Sequence, residues 1–340
     1  MIIEMQKGAQ GKEIKQVVER VKELGLEVQL NEGLEKTVIA VLGSNTGEVD
    51  TQIFEVLPGV EKVVRIMKPY KLPSRDFKKE NTIVMVDGIE IGGKEIVVMA
   101  GPCAVETEEQ VISTAKLVKS KGGKILRGGA YKPSTSPFGF RGLGEEGLKI
   151  LARAKKETGL PIITEVLDPR DVEIVAKYAD ILQIGTRNAQ NFPLLEEAGK
   201  TQLPILLKRG LSSTIEEWLQ SADYILRLRE NGPQLILCER GIRTFSLSTR
   251  FTLDVSAVPV IKDLSHLPIL IDPSHAAGHW KYVPALAKAG LAAGADGLLI
   301  EVHPNPKKAL KDGLQSLTFS DFSRLMAELK VLAKSTGREI

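Results

Sequence analysis

Reactive side chains recur at the ends of short apolar runs in the second part of the chain. The stretch "VVMAGPCAVE" leads from such a run to Cys103, one of only two cysteines in 340 residues. Other runs end close to Arg127, Glu165 and Arg187. One charged residue after one strand usually belongs to a solvated loop, but so many coincidences point to a shared site. Further runs are followed by Lys208 and Arg209, Glu239 and Arg240, Asp272 and His275, and Glu301 and His303.

The first chemical group among these residues is cationic. Several positive charges in one place repel each other unless an anion is bound, and arginine offers phosphate or carboxylate a bidentate fork. The group therefore predicts a site for a substrate that carries phosphate or carboxylate. Its members are Arg127, Lys132, Arg187, Lys208, Arg209 and Arg240.

The second group combines a thiol, an imidazole and two carboxylates, a mixed ligand set that suits a divalent transition metal. The alternative for its cysteine is a small buried hydrophobe, which is the commoner fate of that residue. Cys238, inside "LILCERG", fits that alternative better. The predicted metal ligands are Cys103, His275, Glu301 and Asp312.

The remaining histidines give weaker indications. We expect His266 and His279 at the surface or in loops, and His303 near the site only in support of a ligand.

The elements that must position these residues are eight apolar strands that alternate with amphipathic helices. Short continuous apolar cores are typical of parallel strands buried on both faces. Eight such units in roughly 240 residues predict a (β/α)₈ barrel, with a doubly wound sheet as the alternative. The strands are "EIVVMAG", "KILRGG", "PIITEV", "ADILQIG", "PILLKRG", "QLILCERG", "PILIDPSH" and "GLLIEVH".

A barrel would bring the two groups together. Chemistry in such folds lies at the carboxyl ends of the strands. Closure also makes the eighth strand a neighbour of the first, so Cys103 can meet ligands that follow the seventh and eighth strands.

The first part of the chain has a different pattern. Apolar residues at helical spacing in "KEIKQVVERVKELG" and the runs around it predict the order βαββαβ, a ferredoxin-like fold. We expect this domain at residues 1–67, a polar linker and a β-hairpin marked by Asp-Gly at 68–94, and the barrel at 95–340.

Composition excludes several classes of function. The net charge is only +3 and no long basic run occurs, which argues against a nucleic-acid partner. No apolar stretch is long enough to span a bilayer, and the start lacks the features of a signal peptide. Two cysteines do not make a disulfide framework. A cytoplasmic location without membrane contact is therefore expected.

The motifs together resemble 3-deoxy-D-arabino-heptulosonate-7-phosphate (DAHP) synthase, in the branch related to 3-deoxy-D-manno-octulosonate-8-phosphate synthase. The front segment resembles the ferredoxin-like, ACT-type regulatory domain of some members. The resemblance runs from about Glu95 to the end and rests on "AGPCAVE", "RGGAYKP", "IGTRNAQNF", "LLKRG", "LCERGIRTF", "IDPSH" and "IEVHPNPKKALKDG".

The resemblance implies a transferase that condenses phosphoenolpyruvate with erythrose 4-phosphate and water, the first step of the shikimate pathway to chorismate and the aromatic amino acids. It also implies a divalent metal ion (Mn, Fe, Co, Zn or Cu), feedback inhibition by tyrosine or phenylalanine, and a homo-oligomer, with a tetramer favoured. The four predicted metal ligands match those of the family. The residues that match its phosphoenolpyruvate-binding cations are Arg127, Lys132, Arg187, Lys208 and Arg240.

Three residues match candidate catalytic positions. Glu165 and Glu239 sit in acidic positions near the reacting carbons, where a carboxylate could stabilise positive charge or deprotonate water. Lys132 is a candidate general acid, and we expect neighbouring cations to lower its pKa.

One stretch departs from the family pattern. The usual Lys-Pro-Arg-Thr-Ser-Pro reads "KPSTSP" here, so Ser134 replaces an arginine that contacts the phosphate of the aldehyde, while Thr135 and Ser136 remain. Arg141 stands where glutamine is usual. We expect Arg141 to supply part of the missing phosphate contact; the alternative is a solvated surface residue.

Two other functions compete with this interpretation. The octulosonate-8-phosphate synthase performs the same chemistry on arabinose 5-phosphate, but "IDPSH", "YKPSTSP" and the front domain favour the seven-carbon product. A non-catalytic amino-acid sensor with a relic barrel is disfavoured, because a relic should lose its metal ligands first.

Overall fold

A computed structural model of the chain describes all residues except 33–35, 44, 45, 48, 66–68, 135 and 231. The chain divides into two compact units, residues 1–71 and 72–340. Of the helices in the described part, none is both long and apolar enough to cross a bilayer.

The front unit is the predicted ferredoxin-like fold. Its antiparallel sheet has the strand order β2-β3-β1-β4, with β1 in the interior between β3 and β4. Ile3, Ile39 and Phe54 are fully buried in its core. The elements are β1 (Ile2–Met5), α1 (Gly11–Glu23), β2 (Glu27–Glu32), β3 (Thr37–Leu42), α2 (Gln52–Glu55) and β4 (Val60–Val64).

Local sequence explains the limits of α1. The Gln10 amide donates to the Glu13 carboxylate at 2.7 Å, which satisfies one of the amides that a helix start leaves unpaired. Val17 and Val21 are buried one turn apart. Gly25 follows the helix with φ +72°, a conformation that glycine adopts without steric cost.

The second unit is a closed parallel barrel, which confirms the predicted (β/α)₈ fold. The last strand pairs with the first, with Gly297 opposite Val97 and Glu301 opposite Gly101, so the alternative of an open doubly wound sheet is excluded. The strands are β7 (Val97–Gly101), β8 (Ile125–Arg127), β9 (Ile162–Val166), β10 (Ile181–Ile184), β11 (Ile205–Lys208), β12 (Leu235–Glu239), β13 (Ile269–Ile271) and β14 (Gly297–Glu301).

Helices alternate with these strands. Thr107 and Thr214 cap two of them by accepting hydrogen bonds from the amides of Gln110 and Glu217 at 3.1 Å each. The helices are α3 (Glu108–Ser120), α4 (Glu145–Thr158), α5 (Val172–Ala176), α6 (Phe192–Lys200), α7 (Ile215–Leu226), α8 (Ala257–Leu264), α9 (Pro273–Ala277), α10 (Val283–Ala292) and α11 (Phe319–Ser335).

A β-hairpin precedes the barrel. Strands β5 (Val84–Val86) and β6 (Ile89–Ile91) are joined by Asp87 and Gly88, both with positive φ, as a tight hairpin turn requires. Val84, Val86 and Ile91 belong to the same buried cluster as the barrel interior, so the hairpin contributes to the barrel core.

His266 lies in a loop, one of the two positions expected for it, but it is not at the surface. It lies in the connection between α8 and β13, but is only 1% exposed. Its Nε2 donates to the Leu72 carbonyl at 2.8 Å, and Nδ1 accepts from the Thr82 hydroxyl at 2.8 Å. Burial lowers the pKa of His266, so the neutral ring anchors the segment that enters the barrel unit. His279 is half-buried in a loop.

Candidate active site

A pocket of about 540 Å³ opens where the barrel strands end. Residues from the carboxyl-terminal ends of seven strands, β8 to β14, or from the loops after them line it, as expected for a (β/α)₈ barrel. The predicted site residues among them are Lys132, Glu165, Arg187, Lys208, Arg240, His275 and Asp312.

Three of the four predicted metal ligands form a cluster. The donor atoms of Cys103, His275 and Asp312 all lie within 4.8 Å of one another, and Cys103 Sγ lies 3.3 Å from Asp312 Oδ2. Burial and the Glu301 carboxylate raise the pKa of the Cys103 thiol well above its usual value. A thiolate here therefore needs added positive charge, which a bound metal ion would supply. The donor set fits a divalent transition metal.

The fourth predicted ligand, Glu301, lies beside this cluster. Its Oε1 is 3.3 Å from His275 Nε2 and 2.5 Å from an Arg127 amino group, while Gln315 donates to Oε2 at 2.7 Å. Burial alone would raise the pKa of Glu301, but His275 and Arg127 lower it to about 2. The carboxylate is thus ionised at neutral pH and held firmly at the edge of the metal cluster.

Asp272 orients the imidazole of His275. It caps α9 by accepting the His275 amide at 2.9 Å, and its Oδ2 lies 2.6 Å from His275 Nδ1. Nε2 is therefore left to face the cluster. Burial lowers the pKa of His275, which favours the neutral ring that binds metals. The sequence placed Asp272 at the strand end but gave it no role.

Three of the predicted cations are closely paired with carboxylates of the protein. Lys208 pairs with Asp272 at 2.5 Å, and Arg127 pairs with Glu301. Arg209 was expected among the anion-binding cations, and this is a correction: its guanidinium contacts Glu239 at 3.0 Å and Asp254 at 2.8 Å instead. Its charge is thereby compensated inside the protein.

Arg240 has a different environment. It is 3% exposed, its guanidinium lies 4.2 Å from the centre of the Phe251 ring, and its Nε has no hydrogen-bond partner among the described residues. Burial lowers the pKa of Arg240 to about 10, although Asp272 opposes the shift. A buried cation in this state provides an attractive site for an anion.

The candidate acid–base groups are buried together with partners. Lys132 Nζ lies 3.9 Å from Glu165 Oε2, which also accepts from Gln183 at 3.1 Å. The expected low pKa of Lys132 is wrong: burial does lower it, but Cys103 and Glu165 outweigh burial and raise it above its usual value. Lys132 is therefore charged at neutral pH and able to donate a proton.

Glu239 is fully buried and does not line the pocket. It accepts from the Gly241 amide at 2.6 Å and pairs with Arg209. Burial raises the pKa of Glu239 even though Arg209 opposes this.

The loop that follows β8 carries the last predicted site residues. Ser136 and Arg141 are exposed and are not among the residues that line the pocket. The Arg141 carbonyl accepts from the Lys132 amide at 2.8 Å, so its backbone supports the lysine. Thr135 lies outside the described residues.

Sequence reasoning missed Arg250 and Lys311, which both line the pocket. Arg250 pairs with Asp312 at 3.3 Å, and Lys311 Nζ donates to the Ser134 hydroxyl at 3.0 Å. His303 is buried, with Nε2 3.5 Å from Glu106 Oε2. The sequence offered one indication that Lys311 lies in the pocket: it directly precedes the predicted metal ligand Asp312.

The comparisons agree with this geometry. Residues 70–336 match the DAHP synthetase I family, and residues 1–68 match the DAHP synthase ferredoxin-like domain. Phospho-2-dehydro-3-deoxyheptonate aldolase of Thermotoga maritima is 48% identical over 340 residues, the whole of both chains. A 2-dehydro-3-deoxyphosphooctonate aldolase of Protochlamydia amoebophila is 32% identical, covering 73% of this chain and 96% of its own.

A crystal structure of the Thermotoga maritima DAHP synthase superposes with a TM-score of 0.95, covering 99% of this chain and 98% of that one. A truncated form of the synthase from the same organism covers 79% of this chain with a TM-score of 0.74. With its barrel, its front domain and its site accounted for in this way, the chain belongs to the DAHP synthase family.

Proposed function

We propose that the chain condenses phosphoenolpyruvate with erythrose 4-phosphate and water to give DAHP and inorganic phosphate. The observation that carries this proposal is a single pocket that combines a metal-binding cluster with buried cations for an anionic substrate. His275 and Asp312 of the cluster line this pocket together with Lys208 and Arg240, and Cys103 Sγ lies 3.3 Å from Asp312.

Phosphoenolpyruvate carries a phosphate and a carboxylate, and the pocket offers cations to both. Arg187, Lys208 and Arg240 lie at or just after the ends of three consecutive strands and line one side of it. Arg240 lacks a carboxylate partner among the described residues, so an incoming phosphate would relieve the cost of its burial. Lys132, which lines the pocket, and Arg127, which is buried, are assigned to the carboxylate.

Four residues would hold a divalent metal ion: Cys103, His275, Asp312 and Glu301. When bound, the ion supplies Lewis-acid polarisation of the aldehyde oxygen. Asp272 keeps the His275 ring in the orientation that ligation requires. Arg127 holds the Glu301 carboxylate ionised beside the cluster.

The reaction joins C3 of phosphoenolpyruvate to the aldehyde carbon, and water adds at C2. Loss of phosphate from that carbon completes the conversion. Lys132, charged and within 3.9 Å of Glu165, is placed to give a proton to the new hydroxyl oxygen. Glu165 lines the pocket and is suited to accept a proton from the attacking water. Glu239, which is paired with Arg209, accepts the Gly241 amide and so supports the backbone next to Arg240.

The front domain is proposed to confer feedback inhibition by tyrosine or phenylalanine. Its support is the match of residues 1–68 to the ferredoxin-like domain of DAHP synthases. A homo-oligomer, in particular a tetramer, and a cytoplasmic location remain predictions.

The test is release of inorganic phosphate from phosphoenolpyruvate, with erythrose 4-phosphate or arabinose 5-phosphate as the second substrate. We expect efficient turnover with erythrose 4-phosphate and a seven-carbon product by mass spectrometry. Preference for arabinose 5-phosphate would assign the chain to the octulosonate activity of its more distant relatives. No release with either aldose would refute the proposed function.

A further inference from the structure

Lys311 carries a positive charge that the surrounding structure leaves uncompensated. It is half-buried in the pocket wall, and its Nζ donates to the neutral hydroxyl of Ser134 at 3.0 Å. Among the described residues, no carboxylate lies within 4 Å of its ammonium group. Arg250 and Lys208, which line the same pocket, each have a carboxylate partner. A lysine in a pocket wall with only a neutral partner is suited to an anionic ligand.

The barrel topology places this lysine away from three of the five phosphoenolpyruvate cations, those assigned to its phosphate. Lys311 follows β14 and Ser134 follows β8, and only β7 separates these strands in the closed barrel. Arg187, Lys208 and Arg240 lie at or just after the ends of β10, β11 and β12, on the other half of the mouth. The pocket therefore has two separate positions for anions.

The metal cluster lies on the Lys311 side of the mouth. Cys103 follows β7, and Asp312 is the residue directly after Lys311. An aldose phosphate with its aldehyde at the cluster would extend its far end along the wall between the loops after β8 and β14. Lys311 has two further N–H donors beside the one used by Ser134, and the Ser134 hydroxyl has its own proton to donate.

We propose that Lys311, positioned by Ser134, binds the phosphate of the aldehyde substrate in this protein. The proposal rests on the proposed function and assigns a role to the departure at Ser134. A cation from the loop after β14 takes the place of one from the loop after β8. This proposal competes with the expectation that Arg141 supplies the missing phosphate contact. The side chain of Arg141 is exposed and does not line the pocket.

The test is a kinetic comparison of Lys311→Met with the unaltered enzyme. Loss of a charge-assisted hydrogen bond should raise KM for erythrose 4-phosphate about tenfold or more, with KM for phosphoenolpyruvate changed less than about twofold. Lys308→Met is the matched control, because Lys308 is an exposed lysine of the same loop outside the pocket. It should leave both constants unchanged.

Two further measurements separate a phosphate contact from general damage near Asp312. Erythrose without a phosphate should react with the same kcat/KM in the unaltered enzyme and in Lys311→Met. This substrate has no phosphate for Lys311 to contact, so removing the lysine should make no difference to it. Lys311→Arg should retain most of the affinity for erythrose 4-phosphate, and metal content should be the same in all variants.

The outcomes distinguish this inference from the proposed function. An unaltered enzyme without phosphate release refutes the proposed function. An active enzyme in which Lys311→Met leaves KM for erythrose 4-phosphate unchanged overturns the role of Lys311. That role is also overturned if erythrose turnover falls equally, or if Arg141→Gln and not Lys311→Met produces the substrate-specific loss.

Discussion

The two units of the chain differ in whether they bury charged side chains. In the described part of residues 1–71, no charged side chain is buried, and Thr46 is the one buried polar residue. In the barrel unit, Arg127, Lys208, Glu239 and Glu301 are each at most 3% exposed. The front core is therefore held by apolar packing, while the barrel keeps a set of buried charges at the mouth.

This difference indicates where chemistry takes place. Removing ions from water costs free energy, and pairing within the protein often only offsets that cost. Concentrations of buried, perturbed charges are consequently found at functional sites more than elsewhere. The ion pairs of the front unit, such as Lys15–Glu19 and Arg20–Glu23, lie at the surface, where they contribute little. We therefore expect the reaction in the barrel and at most control in the front unit.

The largest expected effect comes from the metal cluster. Cys103→Ser removes the thiolate ligand, so activity should fall at least about a hundredfold and bound metal should be lost on dialysis. Cys238→Ala is the control, because Cys238 is fully buried in the barrel core and belongs to no metal cluster among the described residues. It should reduce thermal stability but retain metal. Full activity after thorough chelation would show that the metal assignment is wrong.

The next effect concerns the front unit. Removing residues 1–70 should leave a barrel that turns over but no longer responds to tyrosine or phenylalanine. The cut spares Leu72, whose amide donates to Asp223 at 2.8 Å within the barrel unit. Inhibition requires that the effector bind one arrangement of the chain better than another, and the deletion removes its site.

The measurement is initial rate against effector concentration for both forms. An intact protein that ignores all three aromatic amino acids, chorismate and prephenate would contradict a regulatory role. The front domain would then serve assembly alone.

A third prediction compares ion pairs in the two units. Arg127→Met leaves Glu301 buried without its partner, which should cost about 3–5 kcal/mol of unfolding free energy. Arg20→Met breaks an exposed pair and should cost only a few tenths of a kcal/mol. Denaturant unfolding, followed separately for each unit, gives both values. Equal costs would remove the distinction between the units on which the functional assignment depends.

The sequence predicted the fold well because each element has a local cause. Apolar spacing at Val17 and Val21 and the glycine at 25 identify α1, and continuous apolar strands identify a parallel barrel. The ends of those strands then located the thiol, imidazole and carboxylate that the structure clusters.

The direction of individual side chains was harder to predict. Successive residues of a strand face opposite sides, so Lys208 and Arg209 could not both point into the mouth, and Arg209 turns to Glu239 and Asp254. The pKa of Lys132 depends on burial and on Cys103 and Glu165, which are distant in sequence. Lys311 lies in a loop, where no periodicity indicates direction, and its contact with Ser134 spans 177 positions.

The smallest expected difference between the two units concerns backbone conformation. Gly25 in the front unit and Gly88 in the hairpin have φ values of +72° and +81°, and a Cβ at either position would meet no atom within 4 Å. Replacing each with alanine therefore tests backbone conformation alone, and each should cost about 1–2 kcal/mol. Thermal unfolding of both variants gives the comparison. If the two losses of unfolding free energy agree, the units share the same backbone energetics and differ in how they bury charge. A much larger loss at Gly88 would instead show that the hairpin is coupled to the barrel core it packs against.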